Sequence, residues 1–146
     1  MRLYLDCCCY NRLFDDQNQP RIHEEAEAVK QVIESAKAND SILVGSDVLS
    51  MEVSRISDKE RRDGILRLME RIDVSVPLDD MVQSRGLFLQ GISAMHLMDS
   101  LHIASAEAGT ADVFLTVDDR LYRMCQKIPL TVEVMNPTQF RRERLC

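Results

Sequence analysis

Residues 98–121, MDSLHIASAEAGTADVFLTVDDRL, decide the fold. Asp99 stands at the head of an Ala-rich segment, Met98 to Ala108, whose apolar residues recur at helical spacing. Gly109 predicts a left-handed residue closing that helix. A short apolar run, Val113 to Thr116, then reads as a buried strand, with Asp118 two residues after it and Asp119 next. A helix feeding back into a buried strand is one step of a βαβ unit. Sheets built from such units place ligands beyond the carboxyl ends of their strands, near a switch in strand order. Asp99 and Asp118 are therefore where a parallel sheet keeps its chemistry.

The same alternation extends outward in both directions. Arg2 to Leu5 predicts a first strand. Ile22 to Ala38 predicts a helix with Ile22, Ala26, Val29, Val32 and Ile33 on one side. After the turn-like Asn39-Asp40, Ser41 to Val44 predicts a second strand. Gly45-Ser46 opens a helix with Ser46 as its N-cap and Asp47 in its first turn. A charged helix is expected from Asp58 to Arg71, a third strand from Val74 to Val76, and a helix from Met81 to Leu89 that Gly91 breaks. After Asp119 come a short helix, Arg120 to Gln126, a fifth strand, Leu130 to Val134, the Asn136-Pro137 step and a basic tail. The chain is 146 residues long, which predicts a single α/β domain over 1–146 with a mainly parallel sheet of about five strands.

Two further acids stand at junctions of the same kind. Asp6 follows the first strand, and Glu52 lies one turn after Val48 on the helix after the second. Taken singly, each acid has an ordinary role: Asp6 ends a strand, Asp99 caps a helix, Asp118 and Asp119 make a turn, Glu52 is an exposed helix acid. Taken together, Asp6, Glu52, Asp99 and Asp118 converge on one edge of a parallel sheet. Carboxylates so placed repel and raise one another's pKa, and a hard divalent cation such as Mg²⁺ or Mn²⁺ resolves the conflict.

Composition narrows the alternatives. Hydrophobic residues are 45% of the chain but aromatics only 5%, with no Trp, so the core must be aliphatic. No apolar run approaches the roughly 20 residues that cross a bilayer, and the N-terminus lacks the apolar core of a signal peptide. The expected location is the cytoplasm. Cys7, Cys8 and Cys9 are consecutive, which suits neither a disulfide framework nor a C-x-x-C zinc site, and they read as small apolar residues in a reducing compartment. The formal net charge of −6 counts against wide phosphate contact. Local basic clusters soften that objection: Arg55, Lys59, Arg61, Arg62, Arg67 and Arg71 in one stretch, and Arg141, Arg142 and Arg144 near the end.

These motifs, in this order, resemble those of PIN-domain proteins over nearly the whole chain. Residues 3–6 (LYLD) resemble the family's opening strand and acid, and residues 46–52 (SDVLSME) its second, helix-borne acid. Residues 98–106 and 114–121 are similar to its third and fourth motifs, and residues 134–137 (VMNP) to its closing segment. Within the family the chain looks most like small VapC-like toxins of type II toxin–antitoxin pairs. The resemblance implies a three-layer α/β/α sandwich and metal-dependent endoribonuclease activity on RNA. It implies Asp6, Glu52, Asp99 and Asp118 as catalytic residues that hold Mg²⁺ or Mn²⁺ directly or through water, with Thr116 orienting a ligand. It also implies an antitoxin partner and a homodimer. The chain departs from the family at Cys7-Cys8-Cys9, where many members carry Thr and Asn; Asn11 offers an amide, but at a different spacing. Asp119 is expected at the surface, and His102 is expected to pack on the sheet or to hydrogen-bond Asp99. The alternative is a PIN-like module that binds RNA or protein without cutting. A receiver domain would need a second acid near Asp6 and a Lys placed after a late strand, which Lys127 is not. An Asp-x-Asp phosphatase would need an acid where Cys8 stands.

Overall fold

The structure, a computed structural model, describes residues 1–145. Five strands form one sheet: β1 (Arg2–Leu5), β2 (Ile42–Ser46), β3 (Val74–Val76), β4 (Val113–Leu115) and β5 (Glu133–Met135). Their order is β3-β2-β1-β4-β5 and every pairing is parallel. The chain lays β2 and β3 on one side of β1, then crosses to lay β4 and β5 on the other. The switch point thus lies between β1 and β4, whose register pairs Leu3 with Val113 and Leu5 with Leu115.

Helices cover both faces: α1 (Cys7–Arg12), α2 (Pro20–Lys37), α3 (Asp47–Ser54), α4 (Lys59–Met69), α5 (Asp80–Gly91), α6 (Leu97–Ala108), α7 (Asp119–Cys125) and α8 (Pro137–Phe140). Side chains alternate faces along each strand. Leu3, Leu5, Leu43, Val113 and Leu115 therefore pack with Tyr10, Val29, Val32, Leu49 and Ile65 in one core. Tyr4, Val44, Phe114 and Val134 pack with Val82, Leu89, Ile103 and Leu121 in the other. The result is the three-layer α/β/α sandwich, its cores aliphatic save for a few rings such as the stacked Tyr4 and Phe114. Among the described residues no helix is long and apolar enough to cross a membrane.

Several local expectations differ from what is observed. Cys7–Arg12 is a helix that hydrophobic spacing does not announce; it starts because Asp6, as N-cap, accepts from the backbone N–H of Cys7. The second helix begins two residues early, with Pro20 in its first turn, where a missing N–H costs nothing. Gly109 ends α6 but is not left-handed (φ −79°); Thr110 takes the positive φ (53°) instead. Gly109 is required for space, since a Cβ there would stand 2.8 Å from both Val44 and Val76. The fifth strand is Glu133–Met135 and not Leu130–Val134, because Glu107 accepts from both Thr131 N and its hydroxyl and so diverts that backbone from the sheet. The basic tail is ordered: Asn136 caps α8, a π-helical turn spans Arg141–Leu145, and Arg144 pairs with Glu133. Cys146 lies outside the described residues.

Candidate metal centre

Asp6 is buried at the end of β1, where its N–H donates to Leu115 O. Its carboxylate is held on every side. Oδ1 accepts from Cys7 N at 2.8 Å, and Oδ2 accepts from the Thr116 hydroxyl at 2.9 Å and from Cys8 Sγ at 3.3 Å. Thr116 also accepts from Asp118 N at 3.1 Å, so it ties the end of β1 to the turn after β4.

Glu52 reaches the same corner along a chain of hydrogen bonds that starts at its own helix. Ser46 caps α3 by accepting from Leu49 N at 3.0 Å, and its hydroxyl meets Tyr4 Oη at 2.5 Å. Tyr4 Oη meets His102 Nδ1 at 2.8 Å, and His102 Nε2 meets Glu52 Oε1 at 2.6 Å. Both imidazole nitrogens are thereby engaged. His102 Nε2 is also 4.0 Å from Asp6 Oδ1, so the ring lies between the two carboxylates. This corrects the expectation for His102: it packs against the sheet, but it bonds Glu52 and Tyr4, not Asp99. The geometry follows from sequence spacing. Tyr4 and Asp6 share a strand face at i and i+2, and Asp99 and His102 share a helix face at i and i+3.

The charges sort themselves accordingly. Burial pulls the His102 pKa down, but the bond to Glu52 and the charges of Asp6, Glu52 and Asp99 outweigh it and the net shift is upward. Nε2 donates to the Glu52 carboxylate, while the hydrogen bond between Nδ1 and Tyr4 Oη can be donated from either side. Burial raises Glu52, yet its bond to His102 brings the net shift below the ordinary value. Asp6 is raised, chiefly by burial, with Glu52 adding to the rise and His102 opposing it. Asp99, in the first turn of α6, is pushed up to about 6 by burial and by the charges of Asp6 and Asp118.

Among the described residues, Asp6, Glu52 and His102 each offer a ligand atom within 4.8 Å of the others. Asp99 and Asp118 are not in that tight group; Asp99 is joined to it by charge. Asp118 is the N-cap of α7, its Oδ1 accepting from Arg120 N and Leu121 N, while its Oδ2 takes no part in the cap. Asp119 lies at the surface as expected, in a two-point ion pair with Arg21. Of the basic cluster, Arg61 bonds Asp15, Asn11 and Phe14 O, and Arg62 bonds Ile56 O, so both tie elements together. Nearer the acids are Arg55, whose charge helps lower Glu52, and Arg120, 3.4 Å from His96 Nε2.

Carboxylates that raise one another's pKa fit a hard divalent cation, and the one positive group among them is His102, which positions Glu52 and presents no free nitrogen. A test follows from Asp99. Its pKa is raised on folding, so the folded state holds the proton more tightly and stability falls as pH rises from about 4 through about 6. Asp99→Asn is expected to gain roughly 1–2 kcal/mol at pH 7, discounted for partial exposure, and nothing near pH 4. Urea unfolding across that range checks it; parallel stability curves for the two proteins would show that Asp99 carries no such strain.

No family model and no curated protein sequence matches the chain. Solved structures do. A chain of VapBC2 from Rickettsia felis, bound to a DNA fragment from its promoter, superposes with a TM-score of 0.63 at 16% identity, covering 93% of this chain and 98% of that one. A chain of VapBC-1 from nontypeable Haemophilus influenzae gives 0.62 at 18% identity, covering 94% and 99%. A chain of FitAB bound to the IR36 DNA fragment gives 0.60 at 16%, covering 93% and 95%. At this identity the likeness is one of fold, and the fold is PIN-like, with the candidate metal centre at its β1/β4 switch point.

Proposed function

We propose that the chain is a Mg²⁺- or Mn²⁺-dependent endoribonuclease that hydrolyses RNA phosphodiester bonds, acting as the toxin of a type II toxin–antitoxin pair in the cytoplasm. The observation that carries this reading is the gathering of Asp6 and Glu52, with Asp99 coupled to them, beyond the carboxyl ends of the strands. Bound divalent cations supply the charge that activates water and steadies the leaving oxygen in phosphodiester hydrolysis. Asp6 and Glu52 would hold the metal, and Asp99 and Asp118 would complete the set directly or through water. Thr116 fixes the Asp6 carboxylate, and His102 fixes Glu52.

The two-component VapBC and FitAB assemblies with this fold support a small antitoxin as partner. A homodimer is supported by exposed apolar side chains on and after α5, among them Leu87, Phe88 and Ile92. A binding module that does not cut is the second reading, favoured by the cysteines that stand beside Asp6. Incubating mixed RNA with the purified protein and Mg²⁺, Mn²⁺ or EDTA separates the two. Cleavage that needs the metal is the expected result. Metal-bound, folded protein that leaves every RNA intact would favour the binding module.

A further inference from the structure

Glu25 is a buried acid that the nuclease reading leaves unused. A carboxylate so placed needs partners for its charge. Its Oε1 accepts from Arg12 Nε at 2.9 Å, and its Oε2 accepts from Asn136 Nδ2 at 2.7 Å and from Arg21 Nε at 3.4 Å. Arg21, one turn before Glu25 on α2, spends its two terminal nitrogens on Asp119, at 2.8 and 2.9 Å. Arg12 also pairs with Asp15, and Asp15 with Arg61. Charges of alternating sign therefore run from Arg61 on α4 through Asp15, Arg12, Glu25 and Arg21 to Asp119 on α7.

Two of the helices joined in this way are those that candidate ligands open. Asp6 is the N-cap of α1, and Arg12 is the last residue of that helix. Asp118 is the N-cap of α7, and Asp119 is its first residue. Helices of six and seven residues are not stable alone, so their placement depends on tertiary ties. Thr116 holds the Asp118 backbone N–H, on the strand side of the cap. The Arg21–Asp119 pair holds the helix side, one residue beyond Asp118. A lone exposed ion pair contributes little, but a two-point arginine–carboxylate pair within a network is the exception. We infer that Arg21, anchored on the buried Glu25, is a positioning residue for Asp118. It sets the first turn of α7 against the base that also carries α1, and so places the Asp118 carboxylate relative to Asp6. The inference rests on the reading of Asp6 and Asp118 as metal ligands. Arg21 acts through Asp119 and touches neither metal nor RNA in this role.

The competing explanation is that these charges only hold the helices together. Glu25→Gln does not separate the two, because it leaves both arginines short of a partner and disturbs folding. Arg21→Ala and Asp119→Asn do: their side chains are 58% and 55% exposed, and Glu25 keeps Arg12 and Asn136 in both. Mn²⁺ is titrated calorimetrically into the full chain as wild type, as each of these variants, as Asp118→Asn, whose asparagine still caps α7, and as Arg21→Ala combined with Asp118→Asn. Urea unfolding of each metal-free protein confirms the fold. Arg21→Ala and Asp119→Asn are each expected to bind Mn²⁺ about tenfold more weakly than the wild type. With Asp118→Asn already in place, Arg21→Ala should change the affinity by less than about twofold, because the carboxylate it positions is gone. Unchanged Mn²⁺ affinity in either variant, or equal losses with and without Asp118, overturns the inference and leaves the metal centre standing. A folded wild type that takes up no Mn²⁺ overturns both.

Discussion

Asp6→Asn is expected to lower RNA cleavage by at least about a thousandfold while the protein stays folded. Asp6 is the acid with the most supports: the Cys7 amide, the Thr116 hydroxyl and the Cys8 thiol all point at it, and it is buried between β1 and β4. An asparagine keeps an oxygen for Cys7 N or Thr116 but removes the charge that a divalent cation needs. The folded state itself should not suffer. Asp6 has a raised pKa, chiefly through burial, so its charge is a cost to the apo protein and its removal is neutral or stabilising. Cleavage gels and thermal unfolding on the same sample check both halves. Retained cleavage would take Asp6 out of the reaction, and loss of folding would mean that its charge is structural.

The second large effect is on stability. His102→Ala is expected to cost about 2–4 kcal/mol near pH 6, since it opens a cavity and leaves Asp6 and Glu52 without the cation between them. Glu52 is partly exposed, so its share is screened by water and the figure is kept at the lower end for a buried pair. The pH dependence has a definite sign. The folded pKa of His102 is raised, so its electrostatic contribution is fully present below the unfolded value of about 6.5 and is lost as pH rises through the folded value. The deficit of the variant should therefore shrink above neutrality towards the cavity cost alone. Denaturant midpoints measured from about pH 5 to 9 decide this. A pH-independent deficit would mean that the imidazole is neutral and merely packed.

Much of this architecture is legible in the sequence because each level repeats the same message. The apolar runs at Arg2–Leu5 and Val113–Leu115 are buried strands, Ser46 is the N-cap that its position announces, and the acids follow the strands that parallel topology makes important. What stays hidden is hidden for physical reasons. A helix begun by Asp6 and carried by three cysteines has no apolar period to betray it, since thiols are small and ambiguous. Gly109 is a matter of space between Val44 and Val76, which no local rule encodes. The place of His102 depends on Tyr4 and Ser46, residues 98 and 42 positions from their partners, so no window along the chain could reveal the link. A fully buried Tyr two residues before a strand-ending Asp was nonetheless a usable signal, because its hydroxyl must find a partner on the face that Asp6 shares. Arg61 stands in a basic cluster of the sequence, and three dimensions place it in an ion pair with Asp15, a partner that its spacing along the chain does not announce.

Calorimetric titration of Mn²⁺ into the wild type and into Asp6→Asn tests whether the carboxylates beyond β1 and β4 form a divalent-metal centre. Saturable binding to the wild type that Asp6→Asn abolishes is the expected result. No binding to the folded wild type, or equal binding to the variant, would contradict it.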